Sequence, residues 1–397
     1  MPSPIIMPVY NPAPVTPLRG EGIWLIDDTG QRWLDCIGGV ATNALGHAHP
    51  ALVAALTDQA GRLWHVSNAL RIPGQEALAQ KLVAASFAER VFFCNTGTEA
   101  VECAIKTARR HHAHRGAPDR VDVIGFHGSF HGRTYGAINA SGNAAYLDGF
   151  GPAMPGFIQV AMDDHAAFAE AVARPTAAAV IVEPVQGEGG ARAFSGDDLQ
   201  RLRRLCSDHG LLLIHDEVQS GMGRTGRLFA HQWFDDAVPD IMALAKALGC
   251  GFPVGACLAT EDAARGMTLS AHGSTFGGNP LAMAVAGAAF DIIADDATLA
   301  HARHVADHLR GRLREVAARQ PHAIVELRGK GLLVGLKLLP HNRDFMAAAR
   351  DQRLLLSGCG DNCVRILPPL TLTLAEADLI VDGVEATCEA IAERRAD

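Results

Sequence analysis

The chain has 397 residues, which is enough for one large domain and a smaller one. Hydrophobic residues make up 48% and charged residues 20%, as in a soluble globular protein with a large core, and the net charge is −8. The basic residues form no stripe and no apolar stretch reaches the roughly 20 residues that span a bilayer, so we expect neither nucleic acid nor a membrane as partner.

The N-terminal segment predicts a hairpin and not a targeting signal. Residues 1–17 are rich in proline and contain no lysine or arginine, unlike a signal peptide. The nine cysteines form no Cys-x-x-Cys motif, and most lie in apolar segments, so we expect reduced thiols in a cytoplasmic protein. Residues 24–26 and 32–34 read as strands around the turn Asp28-Thr29-Gly30.

Short β-branched or leucine-rich runs alternate with helical patterns from about residue 75 to residue 260. This alternation predicts an α/β fold, with a mostly parallel sheet and helices on both of its faces. Strands are predicted at residues 90–94, 121–126, 178–183, 211–216, 241–245 and 255–259. Helices are predicted at residues 75–86, 98–115, 163–172 and 197–209. The basic run at residues 109–112 is interpreted as a solvated helix end.

The pattern changes near residue 285. Helical sequence over residues 280–319 leads into glycine-punctuated strands at residues 328–338 and 364–367, and a last helix starts at Leu374. We therefore predict a large domain over residues 51–285 and a small α+β domain over residues 286–397. Residues 1–50 are predicted to join the small domain. Cys359 and Cys363 lack a second pair of ligands, so no metal site is predicted.

The segment Asn95-Thr96-Gly97-Thr98-Glu99-Ala100 follows a predicted strand and opens a predicted helix. The free backbone N–H groups at a helix start, together with the helix dipole, form an anion site. Gly97 allows close approach, and Thr98 offers both an N–H and a hydroxyl to a phosphate. The alternative is a simple N-cap by Thr96 or Thr98.

Three further loops follow strands or lie among glycines. In Phe130-His131-Gly132-Arg133, the aromatic ring suits stacking on a cofactor and the arginine suits a carboxylate, although a packed Phe and a surface Arg would look the same. The loop at residues 183–190 carries Glu183 and Glu188, which are gate or ligand candidates or ordinary solvated charges. The hydroxyls of residues 272–279 suit a phosphate or an ordinary turn.

The most informative pair is Asp216 and Lys246, each at the end of an apolar run. Side chains at the carboxyl ends of parallel strands gather at one edge of the sheet. A pyridoxal phosphate (PLP) enzyme needs a lysine to form a Schiff base and a carboxylate to keep the pyridine nitrogen protonated. A buried ion pair or two solvated charges are the alternatives for these residues taken alone.

The segment Gly221-Met222-Gly223-Arg224-Thr225-Gly226 satisfies the G-x-G-x-x-G pattern of NAD-dependent dehydrogenases. Residues 216–220 separate it from the preceding strand, where the fingerprint needs a tight turn, and no helix is predicted at Gly223. A dehydrogenase is therefore retained only as a minor alternative.

The ordered set of segments resembles the class III, fold-type I PLP-dependent aminotransferases, and within them the acetylornithine and ornithine aminotransferase branch. The resemblance extends from Arg19-Gly20-Glu21-Gly22 to Leu367-Pro368-Pro369-Leu370. It implies a large PLP-binding domain, a smaller α+β domain and a homodimer with shared active sites.

The resemblance also implies a role for each matching residue. Lys246 would be the Schiff-base lysine, and Asp216 would pair with the pyridine nitrogen. The remaining cofactor contacts would come from Gln219 near the 3′-oxygen, Gly97 and Thr98 at the phosphate, Phe130 on the ring, and Thr275 at the phosphate of the partner subunit's site. The substrate contacts would come from Arg133, Arg365, Glu188 and Ser274, with no metal.

In this resemblance Arg133 would bind the α-carboxylate of the amino donor. Arg365 would bind a carboxylate of glutamate or 2-oxoglutarate, and Glu188 would cover it when the other substrate is present. The implied reaction moves the terminal amino group of N²-acetylornithine to 2-oxoglutarate, in arginine biosynthesis. Ornithine, N-succinylornithine and 4-aminobutyrate remain alternative donors, and a catalytically silent PLP-fold binding protein remains an alternative class.

Overall fold

A computed structural model describes residues 5–396, so the first four residues of the predicted N-terminal segment and residue 397 lie outside the described part. The described strands are β1 (Pro17–Glu21), β2 (Trp24–Asp27), β3 (Arg32–Asp35), β4 (Arg90–Cys94), β5 (Asp122–Phe126), β6 (Phe157–Val160), β7 (Ala177–Val182), β8 (Val185–Gln186), β9 (Arg192–Ala193), β10 (Leu212–Asp216), β11 (Ile241–Leu244), β12 (Gly255–Ala259), β13 (Ile324–Lys330), β14 (Leu333–Leu338), β15 (Leu354–Leu355), β16 (Ser357–Cys359) and β17 (Cys363–Ile366).

The described helices are α1 (Gly38–Ala41), α2 (Pro50–Ala60), α3 (Pro73–Ala84), α4 (Gly97–His114), α5 (Tyr135–Ser141), α6 (Ala144–Leu147), α7 (His165–Val172), α8 (Gly196–His209), α9 (Glu261–Ala264), α10 (Pro280–Ile293), α11 (Asp296–Arg319), α12 (Asn342–Asp351) and α13 (Leu374–Ala396). Short 3₁₀ turns occupy Ala230–Trp233, Asp235–Ala237 and Lys246–Leu248. Within residues 5–396, no helix is both long and apolar enough to cross a membrane.

The central sheet has seven strands in the order β4-β12-β11-β10-β7-β5-β6. Strands β11, β10, β7, β5 and β6 pair in parallel, whereas β12 is antiparallel to both of its neighbours, β11 and β4. Because two antiparallel pairings restore the direction, β4 runs the same way as β11. The carboxyl ends of β4, β11, β10, β7 and β5 therefore meet at one edge. The predicted α/β fold with a mostly parallel sheet is confirmed.

Both faces of this sheet are buried under helices. Along β7, Ala179 and Ile181 belong to the apolar cluster that contains residues of α4, whereas Val180 and Val182 belong to the cluster with α7 and α8. Successive side chains of a strand point to opposite faces. A strand covered on both sides is therefore apolar at every position, as β7 is with the sequence AAAVIV.

The end of α4 docks on the sheet. Arg109 Nε donates to the carbonyl oxygen of Val121 (2.9 Å), and His112 Nε2 lies 2.8 Å from the carbonyl oxygen of Ala178. The side chains of His111 and His112 are buried, and burial lowers the pKa of His112 to about 4. The interpretation of this run as a solvated helix end is wrong, because its side chains satisfy backbone carbonyls of the neighbouring strands and loop.

The two ends of the chain share a sheet. Strands β1, β2 and β3 form the predicted N-terminal hairpin and its extension, and β3 pairs in parallel with β15, with Leu34 opposite Leu354. The antiparallel sheet β13-β14-β17-β16 packs against α11 and α12, and α13 packs on both of those helices. This pairing supports joining residues 1–50 to the C-terminal lobe, and the boundaries after residues 50 and 285 stay predictions.

The segment α1 is a left-handed turn, because all four of its residues have φ between 53° and 66°. Asp35 holds its start: Oδ1 accepts from the Gly38 N–H (3.1 Å), and Oδ2 lies 2.8 Å from His47 Nε2. A Cβ on Gly38 would lie 2.7 Å from the carbonyl oxygen of Leu367. Glycine is required there by both the backbone angle and the close approach.

The structure adds detail to one predicted helical stretch and agrees with the prediction that no helix starts at Gly223. The helical sequence over residues 280–319 is two helices, because Asp295 accepts a hydrogen bond from the Thr298 N–H (3.0 Å) and caps a new helix start. The G-x-G-x-x-G segment forms turns, and no helix begins in the described residues from 217 to 229. The segment therefore lacks the helix N-terminus that a dinucleotide site needs.

Candidate active site

A cavity of about 440 Å³ opens at the carboxyl edge of the central sheet. We call it the strand-end cavity. It is lined by Thr42, Asn95, Thr96, Gly97, Thr98, Phe130, His131, Gly132, Arg133, Glu183, Asp216, Val218, Gln219, Ala245, Lys246, Gly251, Phe252, Pro253 and Val254. The structure thus brings together the predicted residues from four separate segments, because β4, β5, β10 and β11 all end at this edge.

Asp216 is the most tightly held charge in the cavity. It ends β10, and its side chain is 3% exposed. Oδ1 accepts from the Val218 N–H (3.0 Å), and Oδ2 lies 2.8 Å from Nδ1 of the buried His131. These contacts fix the orientation of the carboxylate. The sequence segment that contains His131 was noted, but its contact with Asp216 was missed.

Lys246 lies two residues after the end of β11 and starts a 3₁₀ turn. Its φ of 42° lies in the left-handed region, which is costly for a residue with a Cβ and is found mainly at functional sites. Burial lowers the pKa of the Lys246 ammonium, and the positive charge of Arg365 acts in the same direction, whereas the carboxylate of Glu188 opposes them. A lowered pKa increases the fraction of neutral amine, which is the nucleophilic form.

The start of α4 forms an anion cradle. Thr96 is the N-cap and accepts from the Glu99 N–H (3.3 Å), and the carboxylate of Glu99 accepts from the Asn95 N–H (2.8 Å). Within residues 5–396, the N–H groups of Gly97 and Thr98 have no partner. The N-cap is therefore Thr96, and the N–H groups of Gly97 and Thr98 are two free donors at a helix N-terminus, as an anion site requires.

Glycines bring the backbone close around this cradle. A Cβ on Gly97 would lie 2.7 Å from Cγ1 of Val218, and a Cβ on Gly132 would overlap the hydroxyl of Thr98. That hydroxyl lies 2.8 Å from the hydroxyl of Thr134. No side chain therefore fits at position 97 or 132, and the backbone stays accessible beside the helix start.

Arg133 lies at the exposed mouth of the cavity. Its guanidinium is 3.8 Å from the ring centroid of Tyr146 and 5.6 Å from that of Phe130.

Glu183 anchors the aromatic segment, because the Phe130 N–H donates to its Oε2 (3.0 Å). Burial raises the pKa of Glu183, and the nearby charge of Asp216 raises it further. Sequence analysis noted Glu183 but gave it no specific role.

Arg365 comes from the small lobe; neither it nor Glu188 lines the strand-end cavity, and Arg365 contacts the cavity wall through Gln219. Its side chain is 2% exposed, and Nη1 donates to Oε1 of Glu188 (2.6 Å) and to Oε1 of Gln219 (3.2 Å). Nη2 donates to Oγ of Ser357 (2.9 Å). The ion pair predicted between Arg365 and Glu188 is therefore present, and Gln219 links it to the cavity wall.

The remaining predicted residues lie elsewhere. In the described part of the chain, Ser274 and Thr275 do not line the strand-end cavity. Oγ of Ser274 accepts from Nδ2 of Asn95 (3.2 Å), next to the anion cradle, and Thr275 is exposed. Their predicted contacts with substrate and with a partner's phosphate stay predictions. Within residues 5–396, no cluster of three or more His, Cys, Asp or Glu side chains is arranged to hold a metal ion.

Val218 is a further wall residue that sequence analysis missed as a site residue. It follows the Asp216-Glu217 pair, and its methyl groups lie close to Gly97 in the cavity wall. An apolar side chain that lines the same cavity as Phe130 suits a face of a flat aromatic ligand. Its position two residues after a strand-end carboxylate was the available signal.

Comparison with known proteins agrees with this geometry. The family model "Aminotransferase class-III" matches residues 6–388. Acetylornithine aminotransferase 2 of Caulobacter vibrioides is 60% identical, covering 97% of this chain and 95% of that protein. Two solved structures are the ornithine aminotransferase of Toxoplasma gondii (33% identical, TM-score 0.93, 98% and 94% covered) and the N-acetylornithine aminotransferase of Stenotrophomonas maltophilia (38%, 0.85, 97% and 98%). Class III aminotransferases depend on PLP, so PLP is the cofactor of this chain.

Asp216→Asn keeps the shape of the side chain but removes its negative charge. With PLP supplied, we expect kcat for amino transfer to fall by roughly 100-fold or more, while KM for the amino donor changes little, because the charge stabilises the reacting state and not the bound substrate. Steady-state kinetics of the purified variant measure both constants.

Asp240→Asn is the matched control. Asp240 precedes β11 at the opposite edge of the sheet and pairs there with Arg203 (2.7 Å). That variant should lose stability and keep kcat. An Asp216→Asn enzyme with normal kcat and only a raised KM would show that Asp216 is a binding residue.

Proposed function

This chain belongs to the class III aminotransferases, and on that basis we propose that it moves the terminal amino group of N²-acetylornithine to 2-oxoglutarate. The products are N-acetylglutamate 5-semialdehyde and glutamate. The observation that carries the proposal is the ion pair between Arg365 and Glu188 at the side of the cavity that holds Lys246. With Glu188 paired to it, Arg365 presents no net charge to the pocket, and without Glu188 it presents a positive charge. The two states suit two substrates, of which one carries an additional carboxylate.

The cavity fits PLP. The unpartnered N–H groups of Gly97 and Thr98 suit the phosphate, the fixed carboxylate of Asp216 suits a protonated ring nitrogen, and Phe130 and Val218 suit the two ring faces. When bound, PLP supplies an aldehyde that takes up the amino group and a ring that accepts the electron pair left at the carbon beside it. Gln219, which lines the cavity, would donate to the 3′-oxygen, with Lys246 as the residue bound to the cofactor.

Lys246 performs the proton transfer. Its buried amine, with a lowered pKa, would remove the proton from the substrate carbon that bears the amino group. The same amine would then return the proton on the cofactor side of the transferred nitrogen. Asp216, held by His131, keeps the compensating positive charge on the ring nitrogen.

Arg133 and Arg365 divide the carboxylates between them. Arg133, exposed at the mouth beside Tyr146, binds the α-carboxylate of the amino donor in a bidentate contact. Arg365 binds a carboxylate of glutamate or 2-oxoglutarate after Glu188 moves aside, and Glu188 returns when the acetylornithine side chain occupies the pocket. Ser274, beside Asn95, would complete the substrate side.

We propose that the protein is a cytoplasmic homodimer whose active sites are shared. All nine cysteines are free thiols, which fits a reducing compartment. Phe276, the residue after Thr275, is 59% exposed, and the apolar side chains of Leu269 and Trp64 are also exposed, at 98% and 65%. A patch of this kind suits a subunit interface, which would bring Thr275 to the phosphate of the partner's site.

The proposed substrate is tested by measuring kcat/KM with 2-oxoglutarate for four donors: N²-acetylornithine, ornithine, N-succinylornithine and 4-aminobutyrate. We expect the highest value for N²-acetylornithine. Lys246→Ala is the control: it should fold and retain PLP noncovalently, yet lose turnover almost completely, because nucleophile and proton carrier are one residue. A higher value for another donor would replace the substrate, and near-normal turnover of Lys246→Ala would overturn the mechanism.

Glu188→Gln tests the exchange at Arg365. Without the carboxylate, Arg365 is left free for a dicarboxylate, so KM for 2-oxoglutarate should fall by roughly fivefold while KM for N²-acetylornithine rises, on the order of 1 kcal/mol each. Arg365→Ala is the opposing control and should raise KM for 2-oxoglutarate. Equal shifts of both constants in Glu188→Gln would contradict the exchange.

Subunit sharing is tested by complementation. Lys246→Ala subunits are mixed with subunits carrying a severe substitution at Thr275, such as Thr275→Asp, under conditions that exchange subunits. Heterodimers then contain one site with both defects and one with neither, so part of the activity should return. Mass spectrometry confirms the exchange. Confirmed heterodimers without recovered activity would show that Thr275 serves its own subunit.

A further inference from the structure

We propose that Cys359 and Cys363 are a dithiol modification site that closes reversibly into a disulfide across the β16–β17 hairpin and, when closed, hinders dicarboxylate binding at Arg365. The effect on binding rests on the proposed role of Arg365. The disulfide itself rests only on the geometry of the hairpin.

The two cysteines are directly opposed. In the antiparallel pairing of β16 and β17, Cys359 is directly opposite Cys363. The hairpin between them is only Gly360-Asp361-Asn362. Opposed residues in antiparallel strands have Cβ atoms roughly 4.5–5.5 Å apart, and a disulfide needs about 3.5–4.5 Å, so a small inward shift of the strands suffices.

The surroundings favour thiolate chemistry. Of the nine cysteines, only Cys250 and Cys359 are partly exposed, so Cys359 is the member of the pair that an oxidant reaches. The neighbouring thiol of Cys359 lowers the pKa of Cys363, and the charges of Arg328 and Lys337 lower it further, against the opposing effects of burial and Asp361. The same contact, together with burial, raises the pKa of Cys359, so Cys363 is the base of the pair. Arg328 Nη1 lies 3.8 Å from the sulfur of Cys363. A thiolate beside a guanidinium is the reactive form.

The reaction balances with a disulfide oxidant such as oxidised glutathione. Cys359 passes its thiol proton to the neighbouring thiolate of Cys363 and attacks one glutathione sulfur, which releases one glutathione thiolate and leaves a mixed disulfide. Cys363 then gives that proton to solvent and, as a thiolate, attacks the sulfur of Cys359 and releases the second glutathione thiolate. The two glutathione thiolates take up protons, and the cysteine pair has lost two electrons to the oxidant. A dithiol reductant reverses the sequence.

The pair is adjacent to Arg365 along the same strand face. Arg365 lies two residues after Cys363 on β17, and Ser357 lies two residues before Cys359 on β16, so the next opposed pair on that face is Ser357 with Arg365. The guanidinium donates to Oγ of Ser357 (2.9 Å). Drawing the strands together at the cysteines therefore alters the spacing of the groups that hold Arg365.

The hairpin tip also holds Glu188. The Gly360 N–H donates to the carbonyl oxygen of Glu188 (2.8 Å), and Oε1 of Glu188 accepts from Arg365 (2.6 Å). Release of Arg365 requires the Glu188 side chain to move while its backbone stays tied to the tip. A crosslink at the base of the tip restricts that movement, so the closed disulfide favours the Arg365–Glu188 pair over a bound dicarboxylate.

The experiment uses the full-length holoenzyme, treated with excess oxidised glutathione and then with dithiothreitol. Free thiols are alkylated, and peptide mass mapping locates the disulfide. The conversion of the cofactor by glutamate alone is followed by absorbance. We expect a Cys359–Cys363 disulfide, an increase of about fivefold in the half-saturating glutamate concentration, little change with N²-acetylornithine, and full reversal by the reductant.

Three variants separate the causes. Cys359→Ala and Cys363→Val should keep the reduced behaviour after oxidation, whereas Cys250→Ser, which removes the other partly exposed cysteine, should respond like the parent protein. Absence of the disulfide under excess oxidant, an unchanged glutamate response once it has formed, or an equal response in Cys359→Ala would overturn the proposal. If the reduced parent protein did not react with glutamate at all, the proposed function would fail, and peptide mapping would still decide whether the disulfide forms.

Discussion

The common direction of β4, β11, β10, β7 and β5 is the constraint on which the site depends. The segment after the last residue of each strand lies at the same edge. The common strand direction therefore brings together an anion cradle, an amine, a carboxylate and an aromatic loop. The antiparallel strand β12 preserves this arrangement, because it lies between β11 and β4 in the sheet. It is antiparallel to both, so β11 and β4 point the same way. Reversing any one of these strands would move its segment to the far edge.

The charges at this edge stabilise one another. Lys246 and Arg365 lie among the carboxylates of Asp216, Glu183 and Glu188, where an unpaired charge is costly. Burial lowers the pKa of Lys246 and raises the pKa of Glu183, so both shifts favour the neutral form. The carboxylate of Asp216 is held by Val218 and His131, and Glu188 pairs with Arg365. The site therefore combines one anchored carboxylate with an ion pair that we propose is exchangeable.

Sequence patterns predicted those parts of the site that follow from strand ends. Asp216 and Lys246 each end an apolar run, and the cradle at Gly97 joins a strand to a helix. Patterns along the chain do not give which strands are neighbours, so the contact of His131 with Asp216 was missed. Arg365 reaches the cavity from another sheet, and only the resemblance to a family indicated it. The docked end of α4 was misread for the same reason, because its partners are carbonyls distant in sequence.

Local backbone rules fail where the site is built. Lys246 has a φ of 42°, and α1 runs left-handed through Val40 and Ala41, next to Thr42 in the cavity wall. Such conformations cost roughly 1–2 kcal/mol per residue, and propensity alone would never select them. They persist because the surrounding contacts fix them, with Asp35 bonding the start of α1. The free energy gained by packing the two lobes thus offsets the backbone strain at Lys246 and in α1. An unstrained chain would not hold the amine and the cavity wall in these positions.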